Sequence, residues 1–313
     1  MRLLAKRTVI VGLLLCFSMT VSAAKLRPFS LAGITNIGMS TVVADVEKRL
    51  KQGGFEILGT YRPYPTAYIF AVTSEDLKKA ATKSEYGGFG AVIKVSVTEV
   101  TDQKGVKQVQ VTYNNPEYIS LAYNMNADLS ETKRRLGQVV GFDRDYGGGE
   151  GIEEKDLPGY NYTFGLEDFY GFYDLVDHGS FAKAVSEVEK GLANNKFGIG
   201  QVYKLKIPGK QQVVYGLSLQ GDPETEKFLN DEYVMKILDH KPLRRTSHLP
   251  YEIMVNGSKV IAMHAHFRLA VQFPEMHMFG SHSFGKLMDL PYDYEEYFTQ
   301  VAGGKWPPEG GGW

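Results

Sequence analysis

The sequence predicts an α+β protein of two tandem units, each running strand, helix, four strands, helix, with antiparallel sheets covered by helices on one face. A repeat is the first observation behind this. "VEKRLKQGGFEI" (Val46–Ile57) and "VEKGLANNKFGI" (Val188–Ile199) agree at six of twelve positions, each as an amphipathic helix running into a strand. The second is that the elements around these segments recur in the same order. The third is that both long hairpins end in Pro-Glu and a large apolar residue, Pro116-Glu117-Tyr118 and Pro274-Glu275-Met276.

Residues 1–23 are expected to be a leader. Arg2, Lys6 and Arg7 precede the apolar run Val9–Met19, and Val21-Ser22-Ala23 supplies small residues before a cleavage point. Its Cys16, preceded by Leu15, does not suit a lipid-anchored cysteine, and no later stretch approaches the ~20 apolar residues of a membrane span. The expected product is periplasmic or secreted, cleaved near Ala23. Without the leader it holds no cysteine, so ordinary cores must stabilise it. Losing three basic residues takes the formal charge from −1 to about −4, which offers nucleic acid no electrostatic footprint.

The first unit is read over 24–141. A strand at Gly33–Ser40 leads into the repeated helix, then come a strand at Ala67–Thr73, a helix at Ser74–Lys83, a hairpin over Ala91–Tyr113 and a closing helix at Ser130–Val140. Residues 142–165, "FDRDYGGGEGIEEKDLPGYNYTFG", are rich in Gly and acid and are expected to be a linker. The second unit, 166–302, repeats the order: a strand at Phe169–Asp177, a helix capped by Ser180, a strand at Gln212–Gln220, a helical segment at Asp222–Leu238, a hairpin over Leu249–Phe273 and a helix at Tyr292–Val301. The tail 303–313 has too little apolar periodicity to fold alone. The two sheets are expected either to join edge to edge into one curved surface or to gain pairing in a homodimer.

With its opening strand, "TVVADVEKRLKQGGFEI" and "VQVTYNNPEYISLAY", the first unit resembles the bacterial domain of unknown function 302 (DUF 302 family). The resemblance covers roughly 30–140 and, more faintly, 166–302. It implies a fold similar to the TATA-binding-protein-like arrangement and no assigned biochemistry. Members often carry Leu-Pro-Cys before the first hairpin strand; the second unit has Leu249-Pro250-Tyr251, so no thiol role carries over.

All seven histidines lie in the second unit, which singles it out as the one that binds something. Read as a strand, Ile261–Phe273 puts Ile261, Met263, Phe267, Leu269 and Val271 on a core face and His264, His266, Arg268 and Gln272 on a polar one. A three-residue turn at Asn256-Gly257-Ser258 would set His248 opposite His266. His248, His264 and His266 could then hold Zn²⁺ or Cu²⁺. A two-residue turn would send His248 to the other face and dissolve the cluster. The polar face, with Arg268, also suits a small anion, and a solvated face without any ligand is the plainer reading.

"PEMHMFGSH" offers Met276, His277, Met278 and His282 as softer ligands for Cu(I), or methionines packed under the last helix. Asp143, Asp145 and Glu154 match three places of a calcium loop whose fifth place is Gly147. Asp174, Asp177 and His178 read as helix-capping residues. No nucleophile elbow, zinc-protease helix or phosphate loop is present. The expected function is a non-enzymatic binding protein; the alternatives are an interaction module without a small ligand and a metal-dependent enzyme at the same histidines.

Overall fold

The computed structural model describes residues 25–163 and 165–307. The leader read at 1–23 and the tail from 308 onward lie outside them. In chain order the strands and helices are β1 (Lys25–Leu26), β2 (Phe29–Thr35), α1 (Met39–Gln52), β3 (Glu56–Tyr61), β4 (Ala67–Thr73), α2 (Glu75–Ala81), β5 (Ile93–Thr101), β6 (Lys107–Asn114), α3 (Pro116–Ala122) and α4 (Ser130–Val140). There follow β7 (Arg144–Tyr146), β8 (Ile152–Glu153), β9 (Phe172–Asp177), α5 (Phe181–Ala193), β10 (Ile199–Lys206), β11 (Gln212–Leu219) and α6 (Asp231–Leu238). The chain closes with β12 (Tyr251–Asn256), β13 (Lys259–Met263), α7 (Ala265–Gln272) and α8 (Leu290–Val301). Among the described residues no helix is long and apolar enough to cross a membrane.

The fold is α+β with antiparallel sheets. The first sheet runs β3-β4-β5-β6-β2-β7 and the second β10-β11-β12-β13-β9. In each, four consecutive strands meander and the opening strand returns beside the last of them. Each opening strand carries one bulge, leaving Ala32 unpaired in β2 and Leu175 in β9. Helices α1 and α5 form because their apolar residues fall on one stripe: Val42, Val46 and Leu50 in one, Ala184, Val188 and Leu192 in the other. Ser180 caps α5, accepting from the Lys183 N–H, as its position before the repeated helix predicts.

The sheets meet in two ways. Their edge strands β3 and β10 cross so closely that a Cβ at Gly59 would lie 2.0 Å from the Val202 carbonyl oxygen, so only glycine fits there. Their faces away from α1 and α5 also meet. Tyr203, Met254, Ile261 and Met263 of the second sheet share one apolar cluster with Phe89 and the first sheet's core. The second sheet is therefore buried on both sides, unlike the half-wet sheet expected.

Four sequence expectations are corrected. The opening strand is Phe29–Thr35, and Gly38 then starts α1. Residues 142–165 are not a plain linker, because β7 pairs with β2 and β8 with β1. Only the last eight residues of Asp222–Leu238 are α-helical. Asp222 accepts from the Glu224 and Thr225 N–H groups, and Asn230 caps α6 instead.

The fourth correction bears on function. The turn between β12 and β13 holds two residues, Gly257 (φ +62°) and Ser258, between the pair Asn256 and Lys259. Ile253 faces Ala262 and Met254 faces Ile261. The strand then stops at Met263, and Ala265–Gln272 is helix.

Buried Asp231 links the units at α6. Its Oδ2 accepts from the Tyr61 hydroxyl of β3 (2.7 Å) and the Leu219 N–H (3.3 Å), while Oδ1 has no partner. Burial raises its pKa to about 7, against the pull of those bonds. A raised carboxyl pKa means the folded state holds the proton longer than the unfolded one. Its contribution is thus complete below pH ~4 and is lost as pH rises through 7. Urea unfolding from pH 4 to 8 should show Asp231→Asn losing less stability over this interval than the wild type; parallel curves would contradict the assignment.

Candidate metal centre

Helix α7 positions the site. Its cap is His264, whose Nδ1 accepts from the His266 N–H (3.3 Å), a role Asn115 fills at the start of α3 by accepting from the Glu117 N–H (3.2 Å). Glu167 comes from the segment before β9. Its Oε2 lies 3.3 Å from His264 Nδ1 and 3.0 Å from His266 Nδ1. Among the described residues this is the one group of three His, Asp, Glu or Cys side chains close enough to share an ion. The side chains are partly sheltered, with 15% of His264, 21% of His266 and 33% of Glu167 exposed. Tyr173 lies against the His264 ring at 4.4 Å, and its hydroxyl oxygen accepts from the Ala265 N–H (3.2 Å).

Burial lowers the His264 pKa to about 4, although Glu167 pulls the other way, so at neutral pH this imidazole is neutral. Glu167 is held below the usual carboxylate range. Burial opposes this, but its own backbone N–H and the two imidazoles outweigh it. His266 Nε2 is buried with no hydrogen-bond partner, and the residue borders a small apolar cavity.

Against known proteins, no family model and no curated protein matches the chain. One solved structure is similar, titled an uncharacterized conserved protein DUF302 from Bacillus stearothermophilus. Its identity is 16%, over 36% of this chain and 94% of that one, with a TM-score of 0.31. The family in that title is the one the sequence resembles.

The expected trio of His248, His264 and His266 does not form. The two-residue turn and the helical α7 carry His248 into the interior, against the opposite side of the helix. There its Nε2 accepts from Arg268 Nη1 (2.9 Å), which fixes the proton on Nδ1, and Nδ1 donates to Gln272 Oε1 (2.9 Å). Gln272 in turn donates to the Tyr123 hydroxyl (3.0 Å). Burial, then the Arg268 charge, hold His248 well below its ordinary pKa.

Arg268 and Gln272, expected on a wet ligand-binding face, are also buried. Arg268 Nη2 donates to the His248 and Pro250 carbonyls (2.5 and 2.6 Å) and lies 3.3 Å from Glu252 Oε2. Glu252 also pairs with buried Lys94 of β5. Burial lowers the Lys94 pKa despite that partner. This is structural cement between the sheets, and Arg268 presents nothing to a soluble anion.

The other candidates are likewise taken up locally. Met276 is buried in the second core, Met278 packs against it, and His282 stacks on His240 at 4.1 Å, leaving His277 exposed. Asp143 pairs with Arg144 (2.6 Å), and Asp145 sits within β7, held by Lys133 (2.6 Å) and Ser30 (2.6 Å). Glu154 begins a separate short turn. The calcium spacing thus falls on a paired strand instead of a loop. Glu167 escaped sequence reading because nothing in "GLEDFYGF" marks one acid above the other; its meeting with α7 depends on the fold.

Removing the charge of Glu252 leaves two buried cations facing each other. Glu252→Gln should therefore cost about 3–5 kcal/mol of unfolding free energy. Asp45→Ala, which breaks the exposed pair with Arg49, should cost less than about 1 kcal/mol. Equal losses in denaturant titrations would show that the buried pair has no special role.

Proposed function

We propose that the chain is an exported, non-enzymatic binding protein that holds a divalent transition-metal ion at Glu167, His264 and His266. The leader read at 1–23 supports export, and the strand order common to both sheets supports descent by duplication, with the second unit specialised.

The observation that carries the reading is the position of His264 Nδ1. As the cap of α7 it draws its one lone pair toward the His266 N–H in a long bond (3.3 Å). The same nitrogen lies 3.3 Å from a carboxylate oxygen. Two acceptors at that distance repel unless a proton or a cation lies near both. Protonation or metal binding would each relieve the contact by taking the Nδ1 lone pair from the cap bond, but protonation would also charge a largely buried imidazole. A metal ion relieves it without charging the ring. Two imidazoles and one carboxylate suit Zn²⁺ or Cu²⁺, with water at the remaining positions.

Calorimetric titration of EDTA-treated protein with Zn²⁺ and with Cu²⁺ should give one site per chain for at least one of them. Binding should weaken by at least about tenfold in His264→Asn, which keeps a capping side chain. His248→Asn should leave stoichiometry unchanged, which separates this site from the trio expected from the sequence. Absence of saturable binding of either ion would leave an interaction module as the better reading.

A further inference from the structure

A cleft of about 390 Å³ lies between the two units, with Tyr64, Thr98 and Glu99 of the first and Lys236, Asp239 and Arg244 of the second among its walls. We infer that it binds a small organic monocarboxylate, whose carboxylate pairs with the Arg244 guanidinium. This goes beyond the metal reading and does not rest on it, since the cleft shares no residue with the metal candidate.

Arg244 is held in place before any ligand arrives. Its N–H donates to Gln110 Oε1 of β6 (2.9 Å), and Gln110 Nε2 donates to the Pro242 carbonyl (2.8 Å). The Tyr146 hydroxyl of β7 donates to the Arg244 carbonyl. The segment before β12 is thus fastened to the first sheet. The side chain is fixed as well, because Nη1 donates to the Asp239 carbonyl. Among the described residues Nε and Nη2 have no partner, and unlike Arg245 Nε and Arg268 Nε they are not buried. Those two N–H groups form the parallel fork that grips a carboxylate with two bonds. A guanidinium already pinned by Nη1 has little side-chain freedom left to lose on binding.

Charge decides the sign and number. Glu99 pairs with Lys107 (2.7 Å), and Lys236 pairs with Glu232 one turn before it (2.9 Å). Asp239 and Glu275 face Arg245 and Lys241, two acids against two bases. Burial lowers the pKa of His240, also on the wall, so that imidazole is neutral at pH 7. Among the described residues Arg244 has no ion-pair partner, which leaves the cleft one uncompensated positive charge. A monoanion balances it. A phosphate dianion would bring its second charge toward Glu99 and Glu232, which line the same cleft. The volume falls within the range of about 300–1,000 Å³ usual for organic ligands and far exceeds the ~30 Å³ share of one water, so the fit is to an organic acid and not to a halide.

The test uses the full chain in EDTA, with lactate, its neutral amide lactamide and inorganic phosphate as probes, by ligand-observed NMR and calorimetry. Lactate should bind saturably at one site, and lactamide and phosphate each at least about tenfold more weakly. Arg244→Gln should bring lactate down to the level of lactamide. Arg244→Lys, which keeps the charge without the fork, should fall between that variant and the wild type. His264→Asn should bind lactate as the wild type does. If neither Arg244 variant folds, the comparison of lactate with lactamide on the wild-type chain still decides. Lactamide or phosphate binding as tightly as lactate, no saturable lactate binding, or an Arg244→Gln variant that binds lactate unchanged would each overturn the assignment. Loss of metal binding with lactate binding intact would remove the metal reading alone.

Discussion

The interior ion pair of Glu252 with Lys94 and Arg268 fixes how the two sheets and α7 are held together. Lys94 stands on β5 of the first sheet, Glu252 on β12 of the second and Arg268 on α7, and all three are buried. Two cations on one anion leave an excess positive charge in a low-dielectric interior, a costly arrangement unless further partners share it. The chain supplies them. The Arg268 guanidinium donates to two main-chain carbonyls and to neutral His248, and it lies 4.3 Å from the centre of the Tyr251 ring. The Tyr203 hydroxyl donates to Glu252 from the other side (3.2 Å). Each of these groups binds only in one relative position of the sheets, so the network specifies geometry even where its net contribution to stability is small.

The metal candidate follows from this anchoring. Arg268 and Gln272 lie four residues apart and face the interior against His248, which sets the rotation of α7. That rotation turns His266, Leu269 and Ala270 outward toward Glu167 and the apolar cavity. The helix start then places His264 at the cap, with its Nδ1 on the same side, 3.3 Å from Glu167 Oε2. The two candidate imidazoles are thus brought together by a helix terminus, whereas alternation along a strand would have joined them to His248.

What could be read from the sequence depended on whether a segment had one wet side. Helices α1 and α5 were legible because their outer faces are charged, leaving a clear apolar stripe. The pairing of β12 with β13 was not, since both faces are buried and apolar residues stand at almost every position. The stretch after Met263 was ambiguous for a related reason. Phe267, Leu269 and Val271 fit a strand face, while Phe267 and Val271 also fit one side of a helix. Seven of the eight residues of α7 are buried, so no polar stripe arbitrates. The Pro-Glu pairs, which look equivalent, are not: Pro116 opens α3, whereas Pro274 follows the end of α7. Among the candidate ligands, His264 and His266 were legible as a pair and Glu167 was not, because their meeting spans almost a hundred residues.

The comparison of α3 with α7 locates where the two units part chemically. Both helices start directly after the last strand of their meander, and both are capped by a side chain. Asn115 spends its hydrogen-bonding capacity on the main chain. Its oxygen accepts from the Glu117 N–H and its amide donates to the Arg27 carbonyl (2.9 Å). An amide so placed offers a metal ion no basic nitrogen. His264 caps with the same economy of position but carries a basic nitrogen, and the fold sets a carboxylate and a second imidazole in front of it. Changing the cap from an amide to an imidazole needs no change in the backbone, because both accept one N–H at the helix start. The proposed metal binding of the second unit would therefore arise at a position whose structural duty is already fulfilled by either residue, with the sheet beneath free to stay the same.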